Sequence, residues 1–186
     1  MIFRHFRLDV NESNAFVVGC GDTKEALLID VGDMDPAIED FLDEHGLRLT
    51  TVFITHDHYD HTGGLPGVIA KYDAEVLSGS GSGPGHKTRK VAHGDEVRVG
   101  DLVGTVLSTP GHTPDSVSLR FPGMVFTGDA LFAGSVGGTT SPSQARQQID
   151  ALRKHILSLP DETELHTGHG PSSTVGIEKH HSPFFA

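Results

Sequence analysis

Apolar and polar positions in the first third of the chain alternate as short runs broken by turn residues. Asn14 to Gly19 (with Ala15, Phe16, Val17 and Val18) and Glu25 to Asp30 (with Ala26, Leu27, Leu28 and Ile29) predict two strands, and Gly21-Asp22 between them predicts a hairpin. Asp35-Pro36 supplies an N-cap and a first-turn proline. Ile38, Phe41, Leu42 and His45 then recur at helical spacing, and Gly46 closes the helix. Val52-Phe53-Ile54 is apolar without alternation, as in a strand covered on both faces. Further strands are predicted at Glu96 to Val99, Leu102 to Leu107, Val117 to Phe121 and Met124 to Phe126. After Ser141-Pro142, the positions Ala145, Ile149, Leu152, Ile156 and Leu159 step along one helical face. Glu164 to Thr167 reads as a last short strand, and Ser78 to Gly85, alternating serine with glycine, as a mobile surface loop. This order predicts an α/β fold with helices packed outside sheets, its polar clusters falling where strands end.

Composition narrows the partners. The chain has 186 residues, which predicts one domain over 1–186. It carries 14 Lys and Arg against 25 Asp and Glu, a net charge of −11. That balance repels phosphate backbones and anionic bilayers, so neither nucleic acid nor membrane is expected as a partner. No apolar run approaches the roughly 20 residues of a spanning helix, and Met1 to Arg7 does not read as a signal peptide. The single cysteine, Cys20, rules out a disulfide within the chain and fits a reducing, cytoplasmic setting. Against this background, 13 histidines beside two tyrosines and no tryptophan are conspicuous.

Their arrangement separates ligands from surface residues. His56, His58, Asp60 and His61 place four metal-ligand side chains within six positions, directly after an apolar strand and before Gly63-Gly64. In an extended stretch His56, His58 and Asp60 point to one side, while His61 breaks the alternation as the chain enters a helix. One segment can therefore serve two neighbouring positions: a His-x-His pair and an Asp-His pair. Imidazole with carboxylate suits zinc or non-haem iron, and a shell without cysteine points to an open, catalytic site. A lone surface histidine is ordinarily solvated, so His5, His45, His86, His93, His155, His180 and His181 carry no assignment. His166 is assigned to the strand before His169.

The segment Thr55-His56-Asp57-His58-Tyr59-Asp60-His61 resembles the His-x-His-x-Asp-His signature of the metallo-β-lactamase superfamily. Thr109-Pro110-Gly111-His112-Thr113 resembles its third-histidine motif, and Phe126 to Phe132, around Gly128-Asp129, its bridging-aspartate motif. Gly168-His169-Gly170-Pro171 resembles its last-histidine motif, and Leu28-Ile29-Asp30 the early strand ending in aspartate. Together with Lys90 to Glu96, these segments are most similar to glyoxalase II, the hydroxyacylglutathione hydrolases, and the ending resembles their short bacterial relatives. Two features differ from that family. No C-terminal helical domain like that family's is expected within residues 1–186, and Gly138 stands where the family has a basic residue.

The resemblance implies an αββα sandwich of two mixed sheets with helices on the outer faces. It also implies two divalent metal ions, zinc first, with iron or manganese also compatible. His56, His58 and His112 would hold one ion; Asp60, His61 and His169 would hold the other. Asp129 and a hydroxide would bridge them, which makes Asp60 and Asp129 the catalytic carboxylates, while Asp30 would brace the motif loop. The expected reaction is hydrolysis of a small thioester or ester by that hydroxide, at metals about 3.5–4 Å apart. The pocket wall is expected to include Leu131, Phe132 and the Ser78 to Gly85 loop, with Phe132, equally readable as core, the candidate substrate contact. Two alternatives stand beside this. One is a persulfide dioxygenase with a single iron on His56, His112 and Asp129, and the other is a metal-binding protein without catalysis.

Overall fold

The computed structural model describes residues 1–82 and 88–185. Gly83 to Gly85 of the serine–glycine loop, and His86, lie outside the described residues. The first sheet is built from β1 (Ile2–Arg7), β2 (Asn14–Gly19), β3 (Glu25–Ile29), β4 (Arg48–Ile54), β5 (Glu75–Ser78) and β6 (Thr88–Lys90), in that spatial order. Its first two pairings are antiparallel and the next three parallel. Between these strands run α1 (Pro36–Glu44), the single turn α2 (Tyr59–Thr62) and α3 (Leu65–Lys71). The second sheet contains β7 (Glu96–Val99), β8 (Leu102–Ser108), β9 (Val117–Phe121) and β10 (Met124–Gly128). After the small hairpin β11 (Leu131–Phe132) and β12 (Ser135–Val136) comes α4 (Pro142–His155). The chain returns to the second sheet with β13 (Glu164–Thr167) and β14 (Ser173–Thr174) and ends in α5 (Val175–His181). The spatial order there is β14-β13-β10-β9-β8-β7.

Side-chain alternation in the strands creates four layers. Ala15, Val17, Ala26, Leu28, Val52 and Ile54 face α1 and α3, where they meet Ile38, Phe41, Leu42, Leu65 and Val68. Their immediate neighbours Phe16, Val18, Leu27, Ile29 and Phe53 turn the other way, onto Val106, Val117, Leu119, Phe121 and Phe126 of the second sheet. Leu107, Val125 and Leu165 then face Leu152 and Ile156 of the α4 segment and Val175 of α5. Both faces of the central strands are thus covered, which is why they read as unbroken apolar runs. The αββα sandwich of two mixed sheets is the architecture the sequence implied. The helix starts agree too: the Asp35 carboxylate accepts from Ala37 N and the Ser141 hydroxyl from Gln144 N, each followed by proline at the first turn.

Three departures have physical reasons. Strand β1, whose residues are mostly exposed at a sheet edge, has too little apolar alternation to be legible. The C-terminal stretch around His180-His181 is the helix α5, capped by Thr174 and pinned by the buried Glu178 carboxylate, which accepts from Gly134 N and Ser173 Oγ. The segment after β4 is bent, with His58 at the N-cap of α2, so Asp60 is carried by a helical turn and not by strand alternation. No helix of the described residues is long and apolar enough to cross a membrane.

His166 lies in β13, as assigned, with its ring against Phe3, Phe16 and Phe126 at centroid distances of 4.9, 5.5 and 5.1 Å. Burial pushes its pKa below 6.5, with the Glu164 carboxylate opposing. The unfolded chain therefore takes up a proton that the folded chain refuses, and stability falls as pH drops through about 6.5. We expect His166→Phe to flatten that loss: in urea titrations between pH 7.5 and 5.5, the variant's midpoint should fall less steeply than that of the wild type.

Candidate metal centre

Strands β8, β10 and β13 run in the same direction, since β9 is antiparallel to both β8 and β10 and β13 is parallel to β10. Their carboxyl ends, together with that of β4 from the first sheet, carry the sequence-predicted residues. His56, His58, Asp60 and His61 follow β4; His112 follows β8; Asp129 follows β10; His169 follows β13. A direct bond from Val117 N to Thr55 O, 2.9 Å long, ties the two sheets at this edge.

All seven side chains come together. His56 Nε2 lies 3.1 Å from His58 Nδ1, and His112 Nε2 lies 3.0 Å from the same atom. His61 Nε2 is 3.3 Å from His169 Nε2, which is itself 3.3 Å from Asp60 Oδ2. Asp129 stands between the two groups. Its Oδ1 is 3.3 Å from His61 Nε2, and its Oδ2 is 3.9, 3.7 and 3.6 Å from His56, His112 and His169. Three sets of potential ligand atoms each fit within 4.8 Å: His56, His58 and His112; His56, His61 and Asp129; Asp60, His61 and His169.

The rings are held from behind. Asp30 leaves β3 with a left-handed backbone, φ 53°, uncommon for a residue with a side chain. Its Oδ1 accepts from Thr55 N at 2.8 Å; its Oδ2 faces Thr55 Oγ1 at 2.8 Å and His61 Nδ1 at 2.9 Å. Asp30 thus braces the loop and stays outside the ligand cluster. His112 Nδ1 meets Gly138 O at 2.7 Å, and His56 Nδ1 meets Thr55 Oγ1 at 3.1 Å. With Thr55 Oγ1 donating to Asp30, these outer partners are acceptors and take the Nδ1 protons. The Nε2 atoms of His56, His61 and His112 therefore face one another across the site, that of His61 offering a lone pair once a cation displaces its proton. Converging ring nitrogens, with Asp129 Oδ1 buried and facing only His61 Nε2 at 3.3 Å, are a donor set that fits a cation.

The electrostatics agree. Burial, reinforced by the neighbouring His61 charge, pushes His56 down to about 3. Burial pulls His61 the same way, yet the facing Asp30 and Asp129 carboxylates override it and hold His61 up at about 10. Burial also opposes ionisation of Asp129 and Asp60, but neighbouring histidines, and for Asp60 the Asn11 amide, hold both below the usual carboxylate range. The centre favours positive charge, which a divalent ion supplies while leaving the imidazoles neutral.

Around this cluster the expectations divide. Phe132 is half-buried with its ring centroid 6.1 Å from that of His169, so it flanks the centre. Leu131, expected in the pocket wall, is fully buried in the core under α4. Its neighbour in strand alternation turns outward, so only one of the pair can face the cleft. Residues missed by sequence reading also contribute. Buried Gln148 sends Nε2 to Ala130 O at 2.9 Å, beside Asp129, and its Cβ packs where a side chain on Gly111 would be. It sits in a polar stretch of α4, and the inward spacing relative to Leu152 was its only signal.

Comparison with known proteins places the chain. The family model of the metallo-β-lactamase superfamily matches residues 8–169, and the chain belongs to that superfamily. It is 34% identical over 163 residues to the hydroxyacylglutathione hydrolase of Idiomarina loihiensis, covering 86% of this chain and 62% of that protein. The chain thus spans about six-tenths of that relative's length. It is 31% identical to the probable metallo-hydrolase YqgX of Bacillus subtilis, covering 99% of this chain and 97% of that protein. The crystal structure of ETHE1 from Myxococcus xanthus superposes with a TM-score of 0.88 at 38% identity, over 98% of this chain and 84% of that one. These likenesses support a metal-dependent hydrolase. The His/Asp clusters and the superfamily imply divalent metal ions.

Gly168 packs directly on the centre: an added Cβ would lie 2.1 Å from Asp129 Oδ1 and 2.9 Å from His61 Cε1. Gly168→Ala is expected to lower metal content well below that of the wild type while circular dichroism shows the same secondary structure. Asp30→Asn should weaken metal binding about 10- to 100-fold, because the group behind His61 loses its charge; competition with a chromophoric chelator measures it.

Proposed function

We propose that the protein is a dinuclear metal-dependent hydrolase of a small thioester, similar to hydroxyacylglutathione hydrolases. The observation that carries this reading is the Asp129 carboxylate, which faces both the His56/His58/His112 group and the Asp60/His61/His169 group. In this reading His56, His58 and His112 would hold one ion, Asp60, His61 and His169 would hold the other, and Asp129 lies between the two groups. Zinc fits the nitrogen and carboxylate donors first, and iron or manganese are also compatible. Divalent ions held there would supply an activated water at neutral pH and would polarise a carbonyl oxygen.

The chain's own residues have defined tasks. Asp129, buried and held ionised, fixes the spacing between the two groups. His58 is the exposed member of the cluster, and Asp60 and His169 follow with side-chain exposures of 15% and 27%, so both halves of the centre are open to a substrate carbonyl. Phe132 beside His169 offers an apolar face to the acyl group or the thiol. A thiolate leaves without a strong acid, so no separate proton donor is demanded. Gly138 leaves open space where a basic side chain would stand. It contributes only its carbonyl, to His112, so recognition of a glutathione carboxylate at this position is not part of the proposal.

A second reading has its own observation. His56, His112 and Asp129 form a two-histidine, one-carboxylate set, with 3.9 and 3.7 Å from the imidazoles to Asp129 Oδ2. Such a set suits one non-haem iron and a persulfide dioxygenase. Metal analysis of untagged protein purified without chelators separates the readings. About two ions per chain with hydrolysis of S-lactoylglutathione or a simpler thioester is the expected result, and Asp129→Ala should lower turnover by at least about 100-fold together with metal content. One iron per chain, with oxygen uptake on glutathione persulfide and no thioester cleavage, would replace the hydrolase reading. Two bound ions without turnover of any ester would leave a metal-binding protein.

A further inference from the structure

The residues before β2 lie against one half of the metal centre only. Asn14, the first residue of β2, is 3% exposed, and its backbone N–H and both side-chain polar atoms are engaged. Its backbone N donates to Gly168 O at 2.8 Å, and its Nδ2 donates to Thr167 O and Gly170 O, both at 2.9 Å. Its Oδ1 faces His5 Nε2 at 2.8 Å. Ser13 pairs with His169 itself in an isolated antiparallel bridge. Three residues earlier in the chain than Asn14, Asn11 adopts a left-handed backbone, φ 50°, and places Nδ2 3.2 Å from Asp60 Oδ2. The turn that presents it is closed by Leu8 N to Ser13 O at 2.8 Å and Ser13 N to Val10 O at 3.0 Å. Among the described residues, no hydrogen bond from this segment reaches His56, His58 or His112.

This one-sidedness matters because Asp60 and His169, like the exposed His58, have little support of their own. His169 sits between two glycines, and Gly170 has φ +71°, so its own backbone scarcely restrains the ring. Asp60 is on a helix of one turn. By contrast His56 and His61 are fully packed and braced by Thr55 and Asp30. A left-handed asparagine that spends its amide on a ligand carboxylate is local strain placed at a site.

We propose that Asn14 and Asn11 are positioning residues for the second half of the centre. Asn14 clamps the Thr167-to-Gly170 loop so that His169 faces inward, and Asn11 orients the Asp60 carboxylate toward it. The N-terminal segment thereby sets the occupancy of the Asp60/His61/His169 position separately from that of the His56/His58/His112 position. The proposal rests on the two-metal reading above.

Stepwise titration of the metal-free protein with Co(II), followed by its visible absorption, tests it. Asn14→Asp keeps the size of the side chain and removes its donors, while Asn11→Gly removes the amide at a surface position and tolerates the left-handed backbone. The wild type should bind two equivalents. The second step should weaken about 10-fold in Asn11→Gly and about 10- to 100-fold in Asn14→Asp, with the first step and its spectrum unchanged. A merely structural role would lower the melting temperature and leave both steps in place, or weaken both together; either result overturns the proposal while the two-metal reading stands. Binding of a single equivalent by the wild type would instead defeat the two-metal reading, and the proposal with it. Should Asn14→Asp fail to fold, the exposed Asn11→Gly carries the test alone.

Discussion

The Asp30 carboxylate is the contact on which the site depends. It lies at the end of a central strand, in a backbone conformation that costs on the order of 1–3 kcal/mol, and it accepts from the backbone and hydroxyl of Thr55 and from His61. Those bonds tie β3 to the end of β4 and orient the ring that faces Asp129. They also fix which nitrogen of His61 carries the proton. Without that acceptor the loop after β4 could place its histidines in several ways, and the convergence of ring nitrogens would be lost. The strain at Asp30 is thus offset by a charged, buried hydrogen-bond set.

From that anchor the layers follow. Parallel strands in the first sheet direct their carboxyl ends toward one edge, and three co-directed strands in the second sheet do the same. Packing the two sheets through Phe16, Phe53, Phe121 and Phe126 brings these edges together. The helices cover the outer faces and leave the edge free. The function of the fold at this point is to hold seven polar side chains inward against the cost of burying them, a cost that bound cations would offset.

Much of this was legible in the chain because it is written locally. Apolar runs such as Leu27-Leu28-Ile29 and Val52-Phe53-Ile54 mark strands buried on both sides, and Asp35-Pro36 and Ser141-Pro142 mark helix starts. The four candidate ligands between His56 and His61 lie so close together that spacing alone exposes them; His112, Asp129 and His169 needed the family resemblance, since each is a single residue among glycines. What stayed hidden is non-local. Asn14 looks like any polar strand residue, and its value comes from bonds to residues more than 150 positions away. Gln148 is hidden by the polar residues around it, and Leu131 and Phe132 could be told apart only once the hairpin's facing was known. Strand β1 is legible as a strand only through its partner β2.

The sharing of the centre between the two sheets has a mechanical consequence. His56, His58, Asp60 and His61 belong to one layer, and His112, Asp129 and His169 to the other, joined at the same edge by Val117 N to Thr55 O. A cation gripped by both would act as a rivet through the sandwich, making the distance between layers and the geometry of the donors one variable. A core side chain that is slightly too large between the sheets would be felt first as altered chemistry at the edge, and only later as unfolding.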